Sequence, residues 1–274
     1  MGSVGQALAR LLAPKFDVRV ASRSGAGEAA RLAGGGARAC GLAEVARSSD
    51  CVVLAVPDRA VPAIAARLAP LGPAAVLQTC GALGPADLSP LPQQGVSCAT
   101  FHPLQTFPSP EAGVRALPGS MFGVCGSGPA AGWCDALAGA IGGSTVRVEE
   151  DRLPLYHAAA VMASNAAVGL VDAALALLEL AGIDRSAGCR AIRPLMDASI
   201  ENARTMGAEH ALTGPLMRGD AETVRSHLGA LRGCDEPLRE LYRAFGRYLL
   251  PLAVGRGLAA DDAAALEQVL REGR

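Results

Sequence analysis

The feature that most constrains the fold is a change of pattern near residue 150. Before it, short apolar runs alternate with helical stretches; after it, every periodic segment reads as helix. The runs lie at 17–21, 50–56, 74–78, 97–101, 121–125 and 145–148. The run at 50–56, DCVVLAV, is almost continuously apolar, as a strand buried on both faces requires. Helical spacing of apolar residues falls at 3–13, 27–33, 61–68 and 130–141. A βαβα order of this kind predicts a doubly wound parallel sheet. The remainder predicts helices at 153–181, 186–205, 221–231, 237–255 and 261–272. The fold class is therefore α/β, a Rossmann-like sheet over 1–150 followed by an all-helical domain over 151–274.

Composition supports this reading. Half of the 274 residues are hydrophobic and only 3% are aromatic, so the core is built from small aliphatic layers, which suit helices on a parallel sheet. The formal net charge of −1 gives no global field to recruit nucleic acid or an anionic membrane. None of the eight cysteines forms a C-x-x-C pair, and no Cys/His cluster has zinc spacing, so no metal is expected. Reduced cysteines in apolar runs and the lack of a signal-peptide pattern point to the cytoplasm. The apolar stretch 158–178 is interrupted by Asn165 and Asp172, and no membrane span is expected.

The chain opens Gly2-Ser3-Val4-Gly5 on a helix, the latter part of a G-x-G-x-x-G fingerprint. In that fingerprint the middle glycine admits a pyrophosphate to the backbone, and the last lets helix and strand pack closely. The helix N-terminus supplies N–H donors and the positive end of the dipole. The first glycine and the strand before it are missing from the pattern. An in-frame upstream extension carrying a short apolar strand is one expectation; another segment filling that place is the alternative. The run at 17–21 leads to Ser22-Arg23, where an NAD site usually has an acidic residue. A hydroxyl and a guanidinium suit a 2′-phosphate instead, so NADP is the expected cofactor.

Three further motifs follow. Phe101-His102-Pro103-Leu104-Gln105-Thr106-Phe107 lies just past a strand end, where open sheets bind ligands. Tyr156-His157 and Ser164-Asn165 lie on the predicted long helix. Regular α-helical spacing puts Ser164 close beneath His157 and Asn165 about 80° round. Leu212-Thr213-Gly214-Pro215-Leu216-Met217-Arg218-Gly219-Asp220 puts an N-cap at Asp220 and leaves Arg218 available for a carboxylate. In that order these motifs resemble the Rossmann-like proteins with a C-terminal DUF2520 domain. Relatives of that family include prephenate dehydrogenases, ketopantoate reductases and pyrroline-carboxylate reductases. The resemblance implies NADP binding by the first domain and homodimerisation through the helical one.

The expected activity is reduction of a small 2-oxo or imino carboxylate, with ketopantoate a first substrate to try on resemblance. The expected catalytic residues are His102, His157 and Asn165, with one histidine giving the proton. Arg218 and Ser164 would bind substrate. Gly2, Ser3, Val4, Gly5, Ser22, Arg23, Val56, Pro57 and Thr79 would bind the cofactor. Cys80 beside Thr79 would be a nucleophile only with a base at hand. Many hydroxyacid reductases carry a lysine one helical turn before such an asparagine; here that position is Val161, and Lys15 is the sole lysine. A non-catalytic dinucleotide-binding sensor, or a partner of a biosynthetic enzyme, is the competing reading.

Overall fold

The structure, a computed structural model, describes residues 2–22 and 36–272. Arg23 and the predicted helix at 27–33 lie outside the described residues. Two compact units divide between Ala167 and Val168.

The first unit begins with α1 (Ser3–Leu12), which buries Gly5, Leu8 and Leu12 along one stripe. β1 (Arg19–Val20) pairs in parallel with β2 (Arg38–Ala39). β2 has only two residues and no apolar alternation, so the sequence pattern does not announce it. A five-stranded sheet has the order β3 (Val52–Leu54), β4 (Ala75–Gln78), β5 (Ser97–Pro103), β6 (Met121–Gly126), β7 (Ser144–Arg147). Helices α2 (Leu42–Ser48), α3 (Val61–Leu68), α4 (Pro110–Ala116) and α5 (Gly128–Ile141) connect these strands.

The sheet is α/β and Rossmann-like as expected, but not wholly parallel. β6 runs antiparallel to β5, with Phe101 opposite Val124 and His102 opposite Gly123. The connection from β5 to β6 therefore needs no crossover of the sheet, and holds only the seven-residue α4. Alternate strand residues feed two cores. Leu77, Phe101 and Phe122 pack with Leu8 of α1 and Leu137 of α5 on one face. Val52, Val76 and Cys98 pack with Val61 and Leu68 of α3 on the other. Phe101 and Phe122 stack with ring centroids 4.5 Å apart. Burying each such side chain contributes about 1.5–3 kcal/mol.

The first unit continues past its last strand. α6 (Leu153–Val161) belongs to it because Leu153 is buried there and Tyr156 reaches β5. Residue 150 thus marks the end of the strands, whereas the compact unit runs to Ala167. The expected single helix over 153–181 is interrupted by a π turn at Met162–Ala166 before α7 (Ala167–Leu180).

The second unit adds α8 (Arg185–Met206), α9 (Ala208–Ala211), α10 (Ala221–Ala230), α11 (Glu236–Gly255) and α12 (Ala260–Arg271). Asp184 caps α8 by accepting from the Ala187 N–H at 3.0 Å. Val224, Leu250, Leu266, Val269 and Leu270 form its core. Gly246 admits Leu270, whose side chain would lie 2.5 Å from a Cβ there.

Candidate functional site

β3, β4 and β5 are parallel, so their carboxyl ends share one edge of the sheet. β4 ends at Gln78, a wholly buried amide among aliphatic neighbours. Its Nε2 donates to the Leu83 carbonyl (2.5 Å), the Thr100 hydroxyl (2.9 Å) and the Cys80 carbonyl (3.2 Å). Its Oε1 accepts from the Cys80 N–H at 2.5 Å. The buried Thr100 hydroxyl also donates to Leu83, at 2.7 Å. This network fixes the loop from Thr79 to Leu83. Thr79 ties the same loop to β3, its N–H and hydroxyl both donating to the Leu54 carbonyl.

Two imidazoles converge over this loop. His102 sits on β5, and its Nδ1 lies 2.9 Å from the Tyr156 hydroxyl. The His102 and His157 ring centroids are 5.9 Å apart, with the rings nearly perpendicular. Both rings hang over Gly81: a Cβ there would lie 2.7 Å from His157 Cδ2 and 2.9 Å from His102 Nε2. Gly123, opposite His102 on β6, makes room for Tyr156, whose hydroxyl would lie 2.1 Å from a Cβ at that position.

Electrostatics separate the groups. Burial pushes His102 down to about 4, a charge on His157 pushes the same way, and Asp58 opposes them. Burial raises the Tyr156 phenol to about 12, so it stays protonated. Burial and a hydrogen bond that the thiol donates to the Asp58 carboxylate raise Cys80 to about 12. Cys80 is therefore a thiol and not a nucleophile at neutral pH. His102 is therefore poorly suited to be the histidine that gives the proton at neutral pH, because burial penalises its charged form.

The other expected residues fall as follows. Val56 and Pro57 follow β3, and the Cys80 thiol lies 3.8 Å from the Val56 carbonyl. Val56 and Pro57 thus follow β3 and Thr79 follows β4, at the carboxyl ends of two adjacent parallel strands. Gly2 is the N-cap of α1 and gives no side-chain hydrogen bond, while Ser3, Val4 and Gly5 form the first turn. A Cβ on Gly2 would meet nothing within 4 Å, so this helix end is open to a ligand. Ser22 follows β1; Arg23 lies outside the described residues. Ser164 and Asn165 both sit on the π turn, Asn165 exposed. The wider turn rotates less per residue, so α-helical spacing from His157 misplaces both. Arg218 is exposed in the second unit, and Asp220 caps α10 as expected, accepting from the Thr223 N–H at 3.0 Å. His227 is exposed, its Nδ1 2.7 Å from the Tyr242 hydroxyl.

Sequence reasoning placed Gly81 with Thr79 and Cys80 at the nicotinamide site, but assigned no roles to Tyr156, Gln78, Asp58 or Gly123. Tyr156 had one signal, its place directly before His157. The others are recruited by strand register. Among the described residues, no group of three or more His, Cys, Asp or Glu side chains is placed to hold a metal.

Residues 1–78 match the NADP oxidoreductase, coenzyme F420-dependent family, and residues 120–249 match DUF2520, a domain of unknown function. None of the curated proteins matches. Solved structures share the fold. A Thermotoga maritima protein is 24% identical, covering 91% of this chain and 96% of its own, with a TM-score of 0.72. A Bacteroides fragilis protein described as an NADP oxidoreductase is 22% identical, covering 91% and 95%, with a TM-score of 0.71. A reductive aminase from Aspergillus terreus, solved with NADPH and ethyl-5-oxohexanoate, is 16% identical, covering 98% and 96%, with a TM-score of 0.63. At these identities the likeness is one of fold.

Proposed function

Since the chain belongs with the Rossmann-like proteins that carry a DUF2520 domain, we propose that it is an NADP-dependent reductase of a small 2-oxo or imino carboxylate. The observation that carries this reading is the pair of imidazoles over Gly81 at the carboxyl edge of the sheet. That edge is where open α/β sheets bind ligands.

The cofactor site is read from α1. Its uncapped first turn offers the Ser3, Val4 and Gly5 amides to a diphosphate, and Gly2 lets it approach. Ser22 and Arg23 take the 2′-phosphate, and Val56, Pro57 and Thr79 line the way to the reacting end. NADPH, when bound, supplies the hydride.

The protein supplies the proton and the orientation. His157 donates to the substrate oxygen or nitrogen as the C=O or C=N bond is reduced to alcohol or amine. His102 stays neutral and, through Tyr156, holds its ring in place beside His157. Burial and the proximity of His157 both disfavour a charge on His102. Asn165 polarises the C=O or C=N group, Ser164 assists in substrate binding, and Arg218 pairs with the carboxylate. The helical unit serves as the dimerisation surface, and eight free cysteines suit a reducing cytoplasm.

The test is NADPH oxidation against a panel of 2-oxo and cyclic imino acids, ketopantoate included. His157→Ala is expected to lower kcat about a hundredfold or more, whereas Arg218→Ala raises KM with kcat little changed. NADPH is expected to bind at least about tenfold more tightly than NADH through Arg23, the worth of a charge-assisted phosphate contact. Unchanged turnover in His157→Ala sinks the assigned mechanism. Nucleotide binding without turnover of any panel member favours the sensor reading.

A further inference from the structure

The sheet is divided, and the division has walls. β1 and β2 form one piece, and β3 to β7 form the other. Between them lies a cleft of about 470 Å³, lined without interruption by residues 16–21 on one side and 48–56 on the other. The edges facing it offer backbone groups. The Val18 and Val20 carbonyls accept from the Arg38 and Cys40 N–H groups of the β2 side. The pleat therefore turns the N–H and C=O of Arg19 and Ala21 toward the cleft. Likewise the Leu54 carbonyl accepts from Thr79 beyond β4, so Val53 and Ala55 direct theirs into the cleft.

The two edges run the same way. Arg19, at the start of β1, donates to the Ser48 carbonyl just ahead of β3, which puts both strand starts at one end. The cleft is closed above and below by the same two apolar layers that cover the sheet. Leu8, Leu12 and Leu137 belong to one, and Val45 and Ile64 to the other. Parallel edges at both sides and apolar cores on both faces are the surroundings of a buried parallel strand. A water-filled cleft would leave the ladder groups of both neighbours to solvent beneath two hydrophobic layers.

We propose that this cleft is an acceptor slot for one extended strand of five to seven apolar residues that leads directly into α1, and not a small-molecule pocket. The direction of α1 selects the covalent route. The helix ends at Leu12 and the chain turns within 13–18 into the start of β1, so α1 runs back along the strands. Its N-terminus consequently lies where a strand parallel to β1 would finish. A strand seated there joins the two sheet pieces into one ladder and fixes the position of the Gly2–Gly5 turn.

Amide hydrogen exchange on the full chain tests this independently of activity. Three versions carry an extension ahead of Gly2: a Val/Ile run of five residues and a glycine, the same length in Ser and Asn, and the Val/Ile run with proline at its centre. The Val/Ile extension is expected to slow exchange at Arg19, Ala21 and Val53 by roughly a hundredfold or more. The polar and proline versions leave it unchanged, because one cannot fill the apolar slot and the other breaks the ladder. If the chain without extension is too unstable to isolate, the soluble yield and Tm of the Val/Ile version against the Ser/Asn version make the same comparison. Equal protection by all three extensions overturns the proposal. So does protection by a free capped Val/Ile peptide that the fused one does not reproduce.

Discussion

His102 is a basic side chain that the fold keeps uncharged. Burial and the nearby charge of His157 hold it at about 4, against 6.5 for an unperturbed imidazole. Between these values the unfolded chain binds a proton that the folded chain does not. Stability is therefore full above pH 6.5 and is lost as pH falls toward 4, by at most about 3 kcal/mol. Denaturant unfolding at pH 7, 5.5 and 4 measures it, and His102→Asn is expected to flatten the slope in that window. Parallel slopes in the two proteins would refute the assignment. At this scale the sequence was informative in part. His102 is legible because His-Pro follows a strand-like run, and His157 because it opens an apolar helix. Their meeting over Gly81 is not, since it depends on a helix docking 54 residues further along the chain.

Elements carry the site through polar groups placed where apolar ones would be cheaper. Gln78 ends β4 with every face buried, and its amide serves two carbonyls, a hydroxyl and a backbone N–H of the loop it begins. Gln78→Leu fills the volume but orphans the Cys80 N–H. The cost expected is about 1–3 kcal/mol, read as a lower Tm, together with faster exchange at Cys80. An unchanged Tm and unchanged exchange would show that the loop holds itself. From the run AAVLQ alone, Gln78 reads as the end of a strand, and only the structure shows where its amide points. The strands β3 to β7 are legible as apolar runs bounded by turn residues. β2 is too short to leave a pattern, and the reversal of β6 is a matter of topology that periodicity does not encode. The π turn at Met162–Ala166 is illegible for a related reason: MASNA contains no helix breaker, so nothing in it departs from α-helical composition.

At the scale of the molecule, the second unit exposes several large apolar side chains. Val168, Leu180, Leu195 and Ile200 are each at least 60% exposed. The helical stretch Glu150–Leu180 is long and apolar enough to cross a membrane by length and composition alone, a test that helices of soluble proteins also pass. Asn165 and Asp172 interrupt it, but two polar residues do not remove the hydropathy of the rest. Large exposed apolar patches mark interaction surfaces. With the helical unit as a dimer surface, sedimentation is expected to give twice the 27.7 kDa chain mass. Leu195→Glu combined with Ile200→Glu should give a monomer of unchanged helicity. A wild-type chain that sediments as a monomer at micromolar concentration would remove the dimer from the proposal.

The antiparallel pairing of β5 with β6 has a consequence for how such chains can diverge. It sets His102 against Gly123, so the room that Tyr156 occupies is a property of alignment between two strands and not of either strand alone. Strand side chains alternate, so losing one residue within β5 would deliver the imidazole to the far side of the sheet while the neighbouring helices still found apolar partners. The connection at 104–120 is free of this restriction, since its length does not enter the alignment. Lineages should accumulate insertions and deletions there and hold a fixed count between Ser97 and His102, whatever substrate each has come to accept.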